Sequence, residues 1–92
     1  MNDIQRFFSG TVSDGEATII NSTGGVVIKT ILIANNGTEK AVLSLKIDSE
    51  NTFKFDVEGE TSRIINVPIV CNILKATATA NVNLHISGMN LG

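Results

Sequence analysis

Tryptophan and tyrosine are absent from this chain of 92 residues, and proline, cysteine and histidine occur once each. Sugar-binding faces ordinarily rest on aromatic rings with a polar edge, and here only Phe7, Phe8, Phe53 and Phe55 remain to supply a ring. A single cysteine excludes an internal disulfide, so either the chain folds in a reducing compartment or its stability comes from packing alone. Charge is also scarce. Charged residues make up 17% of the chain, with 7 basic against 9 acidic side chains and a net charge of -2. The isoelectric point near 5.2 and the lack of a basic run remove the electrostatic footprint of a nucleic-acid binder or of a protein drawn to anionic membranes. No apolar stretch approaches the roughly 20 residues that a membrane-spanning helix needs. Met1 to Arg6 lacks a basic segment followed by an apolar one, so no secretory leader is expected and the chain is expected to be made in a cytoplasm.

What the chain does contain sets its class. Ile (12), Val (8), Thr (9) and Phe (4) account for 33 of 92 residues, and such side chains suit a pleated, half-buried surface better than a helix. Turn signals recur about every ten residues, at Ser13-Asp14-Gly15, Asn21 to Gly25, Asn35 to Thr38, Asp48 to Asn51, Glu58-Gly59-Glu60 and Gly88. Between them the spacing predicts about eight strands, near 4–13, 16–21, 26–34, 41–48, 52–57, 62–70, 74–80 and 82–88. The expected fold is all-β: one antiparallel β-sandwich domain over residues 1–92, jelly-roll-like, with residues 1–10 a candidate N-terminal arm. Asn36-Gly37 reads as the clearest hairpin, joining the third and fourth strands.

Alternation marks the core. Leu43, Leu45 and Ile47 share a face opposite Ser44 and Lys46. Phe53 and Phe55 oppose Lys54 and Asp56, and Val82, Leu84 and Ile86 oppose Asn83, His85 and Ser87. Two segments depart from this pattern: 26–33 and 64–70 are apolar on both faces. A two-layer domain has one inside, so their second face calls for a cover, either a terminal arm or a neighbouring subunit. With 17% charge and a mean hydropathy of +0.22, a subunit is favoured. Phe8, Val27, Ile31, Ile33, Ile65 and Val70 are the candidate contacts between copies. Phe7 and Phe8 are expected to point to opposite faces, one into the core and one outward. Pro68 bars a backbone donor, so its strand is an edge, is bulged, or ends there.

Residues able to carry chemistry are few. Cys71 with His85 as base would be a nucleophile pair, but no charged neighbour in sequence lowers the thiol pKa, and a small buried hydrophobe is the plainer reading. His85 lies on a polar face, as a contact with a partner, a group titrating near pH 6, or simply an exposed side chain. Asp48, Glu50, Asp56, Glu58 and Glu60 lack the ligand spacing of a calcium loop and have Lys46, Lys54 and Arg63 among them, which reads as a pair of solvated loops. Gly24-Gly25 is followed by no Lys-Ser/Thr and no helix, so it reads as a turn, not a phosphate loop. No catalytic residue, cofactor or metal is expected.

The segments Ile31-Leu32-Ile33-Ala34-Asn35-Asn36-Gly37-Thr38, Val67-Pro68-Ile69-Val70 and Val82 to Leu91 carry a further signal: over about Gly15 to Leu91 the chain resembles small structural proteins of tailed bacteriophages. It departs from many of them in having Thr23-Gly24-Gly25-Val26 where they carry Thr-Val-Pro before the third strand. The resemblance implies a non-enzymatic virion β-sandwich, in the tail, the head-to-tail joint or the capsid surface. Its partners would be copies of itself in a ring-like homo-oligomer and other virion proteins, with no nucleic acid and no membrane. The competing reading is a monomeric adhesin-like or carbohydrate-binding module that uses Asn35, Asn36, Asn51, Asn81 and Asn83.

Overall fold

A computed structural model describes residues 4–91 and shows an all-β antiparallel domain. Seven strands follow one another: β1 (Gln5–Val12), β2 (Ala17–Asn35), β3 (Ala41–Ile47), β4 (Asn51–Val57), β5 (Thr61–Ile65), β6 (Ile69–Ala78) and β7 (Val82–Asn90). They hydrogen-bond as one open sheet in the order β1-β7-β2-β6-β3-β4, with β5 also paired to β2. The long β2 makes this continuity possible. Its first half pairs with β6, its second half with β7 on one side and β5 on the other, and Val26 to Ile28 pair with β6 and β7 at once. Both halves of the sheet close over a single core that includes Val12, Ile28, Ile31, Ile33, Leu43, Leu45, Leu74 and Ile86.

The seven strands differ from the expected eight in two ways, of which the first lowers the count. The second and third expected strands are one strand, β2, interrupted at Asn21 to Val26 by a register shift where Gly25 takes a φ of 84°. That positive φ is cheap only for a residue without a Cβ. The expected strand 62–70 breaks before Pro68, so β5 stops at Ile65 and β6 begins at Ile69, earlier than residue 74. Residues 5–12 are no free arm: they form an edge strand paired to β7, while 1–3 lie outside the described residues.

The Asn36-Gly37 hairpin is also corrected. β2 and β3 do not pair, because the loop carries the chain from β2, flanked by β7 and β5, to β3, flanked by β6 and β4. Asn35 secures that crossing from a buried position. Its Nδ2 donates to Glu39 O (2.8 Å) and Val57 O (3.0 Å), and its Oδ1 accepts from Gly37 N (3.0 Å). The consecutive positive φ values of a tight hairpin fall instead at Asp48 (53°) and Ser49 (60°), between β3 and β4, where Glu50 N donates to Ile47 O at 3.1 Å. Asp48 can hold this strained position because its carboxylate is tied down. Oδ1 accepts from Asn72 N (2.8 Å) and Ile73 N (2.9 Å), which holds the Asp48 carboxyl below its ordinary pKa of 3.8.

Candidate functional site

The double apolar face of 26–33 is largely resolved by a bulge. A register shift between Ile28 and Thr30 leaves Lys29 outside the ladder and inverts the alternation, so Val26 and Ile28 point inward before it and Ile31 and Ile33 after it. Ile31 and Ile33 are therefore fully buried in their own chain, and as subunit contacts they are withdrawn. A second shift, between Arg6 and Phe8, acts the same way on the phenylalanine pair: Phe7 and Phe8 both pack against the core and neither points away from it. Among the remaining candidates, Ile65 is half-buried against the core, and Val27 and Val70 stand directly opposite each other on β2 and β6.

An outward-facing apolar strip does remain, in a different place. Ser9, His85, Leu32 and Ile64 form one cross-strand row over β1, β7, β2 and β5, and Met89, Val27 and Val70 form another over β7, β2 and β6. Leu32 is 42% exposed, Ile64 64% and Val70 65%. Neither row holds an Asp, Glu, Lys or Arg, and Lys29 in the bulge is the one charge on β2. A shallow groove of about 590 Å³ runs along the first row, past Leu32, Ile64 and His85. Leu32 could not be placed from the sequence because its outward direction depends on the bulge in β2. Ile64 next to Ile65 was the one available signal, since neighbours in a strand cannot both be inside.

A second apolar opening lies between β4 and β5. Leu45, Ile47, Phe53, Phe55, Ile65, Val67 and Ile69 line a cleft of about 290 Å³ with no polar lining. Phe53, expected in the core, is half exposed at its mouth. Arg63 bridges the two edges beside it: Nη1 donates to Asp56 O at 3.0 Å and the guanidinium lies 5.5 Å from the Phe55 ring centre.

The reactive side chains are not assembled. Cys71 is buried on the inner face opposite Val26, while His85 sits on the outer face between Ser9 and Leu32. Burial, and after it the nearby Asp48 charge, pushes the Cys71 thiol above its ordinary pKa, which disfavours the thiolate. Among the described residues no three His, Cys, Asp or Glu side chains gather as a metal site. Asp56 instead meets Lys40, at 3.7 Å between largely exposed groups. Four of the five candidate asparagines do converge: Asn35, Asn36, Asn81 and Asn83 line a recess of about 500 Å³ with Thr11, Thr38 and Glu39. Asn51 is elsewhere, at the start of β4, and Asn35 spends its amide on the backbone. No protein-family model matches the chain, and no curated protein matches it.

Proposed function

We propose that the chain is a non-enzymatic structural protein that assembles with copies of itself into a ring, as a virion component of a phage tail or its attachment region. One observation carries the self-assembly: Leu32, Ile64 and Val70 leave a nearly uncharged apolar strip in water on a domain that already buries a core of its own. A soluble monomer gains nothing from such a strip, whereas a second copy removes it from water at about 25 cal/mol per Å². A repeated contact of one kind between copies closes into a ring when its rotation divides a full turn. The virion setting is supported by the resemblance in the 31–38, 67–70 and 82–91 segments.

Sedimentation over a concentration series tests the reading. The expected result is a mass that is a multiple of 9.8 kDa, and Val70→Lys is expected to lower it with an unchanged circular dichroism spectrum. A wild-type particle that stays at one chain up to the highest concentration overturns the proposal. The polar recess around Asn36, Asn81 and Asn83 favours a second reading, a monomeric module that recognises a hydroxyl-rich ligand. Glycan binding by the monomer, lost on Asn81→Ala, would establish it in place of the ring.

A further inference from the structure

The free edges of the sheet are unequal. On β1 the register shifts between Arg6 and Phe8, and a glycine stands at position 10. β5 is five residues long and is followed closely by Pro68. Shortness, irregular register and proline are ways in which proteins spoil an edge against pairing. β4 has none of them, since its seven residues run in unbroken register with β3 and include neither Gly nor Pro.

The direction of its free backbone groups follows from the ladder. Thr79 N donates to Val42 O (3.1 Å) and Val42 N donates to Thr79 Oγ1 (2.9 Å), so the peptide groups of Val42 face the β6 side. Asp56, opposite Val42, must then turn its own N–H and C=O to the open edge, where Arg63 meets that carbonyl. Alternation places the backbone groups of Thr52 and Lys54 on the same open edge.

We propose that two copies join through β4, antiparallel, about a two-fold axis at Phe55. This interface rests on the self-association proposed above and, because a two-fold contact closes at two copies, is a second contact beside the one that builds the ring. In that register Lys54 stands opposite the partner's Asp56 and Asp56 opposite the partner's Lys54, both in pairs that exchange backbone hydrogen bonds. The two Phe55 side chains meet at the axis, and Phe53 lies beside the partner's Val57. Moving the register by two residues sets Lys54 against the partner's Lys54 in one direction and Asp56 against the partner's Asp56 in the other, so like charges at the axis count against both shifts. Within its own chain Lys54 has no acidic partner among the described residues, and Asp56 has only the long contact to Lys40. The Asp56 carbonyl has two lone pairs and can accept from Arg63 and from the partner strand together. Phe53 and Phe55 also line the apolar cleft, so the joined edges cover side chains as well as backbone.

Charge exchange tests the interface. Lys54→Asp is expected to weaken self-association about tenfold or more by placing two acids face to face, and the double variant Lys54→Asp with Asp56→Lys is expected to restore it to within about twofold. Circular dichroism and urea midpoints on the same samples report the fold. A wild-type chain that is monomeric at every concentration defeats both this interface and the wider reading. Association that is undiminished in Lys54→Asp defeats the β4 interface alone. A double variant that stays dissociated defeats it too, because the loss then did not come from the paired charges.

Discussion

On the half of the sheet built from β3, β4 and β6, the outward rows read Lys46, Thr52, Lys75 and then Ser44, Lys54, Thr77. On the half built from β7, β2 and β5, the corresponding row reads His85, Leu32, Ile64, and the row toward the far end, on β7, β2 and β6, reads Met89, Val27, Val70. Both faces come from the same alternation of a strand with one side in the core, so the difference between them is not a requirement of folding. A face that only has to be wet carries lysines and threonines. Aliphatic groups held at more than two-fifths exposure on the other face cost solubility, and the self-association proposed above would cover them.

Breaking the apolar half has the largest expected effect on stability. Gly88 lets β7 approach β2 so closely that a Cβ there would lie 2.0 Å from Val27 O and 2.9 Å from the Phe7 ring. Gly88→Ala is expected to destabilise the chain by about 3 kcal/mol or more, since the contacts with Val27 O and with Ile28 Cα are to β2 backbone and cannot yield without parting the strands, and urea unfolding measures it. A loss below about 1 kcal/mol would show that the close approach is not needed.

The charged half is expected to answer to pH instead. Asp48 ties the β3–β4 turn to Asn72 and Ile73, and its folded-state pKa lies below its ordinary value of 3.8. A depressed carboxyl stabilises the fold fully above the unfolded pKa, and this contribution disappears as the pH falls through the lower folded value. Asp48→Asn should therefore flatten the fall in thermal midpoint on acidification from about pH 5 downward. An unchanged acid profile in the variant would assign that fall to other carboxyls.

The smallest expected effect sharpens the contrast. Lys46 and Lys75 stand directly opposite each other on β3 and β6, a like-charge pair of the kind that costs a few tenths of a kcal/mol. Lys75→Glu is expected to raise stability by about 0.5 kcal/mol in low salt, to lose that gain at high salt, and to leave self-association unchanged. A change in particle mass would place the charged face in the assembly after all.

Where a strand is regular, the sequence could be read directly. Val82, Leu84 and Ile86 are buried between outward Asn83, His85 and Ser87, and Leu43 and Leu45 are buried as their alternation requires. Pro68 ended its strand because it has no N–H to give a ladder. Reading failed at the bulges. Ile31 and Ile33 looked surplus because a strict period of two carries Val27 through to them, and one unpaired residue, Lys29, reverses that parity. Asn36-Gly37 misled for a related reason: local turn chemistry says that the chain bends, and long-range pairing decides which strands end up as neighbours.

Composition and alternation alone determined an all-β chain with one core, one polar outer face and more aliphatic surface than charge, because these depend only on side-chain chemistry and the two-residue repeat of a strand. Tertiary structure decided which aliphatic groups are left over. Bulges in β1 and β2, the passage of β2 between β6, β7 and β5, and the pairing of Val27 with Val70 arise from contacts between residues tens of positions apart. Local sequence sets the rhythm of each strand, and only the assembled ladder sets its phase against the core.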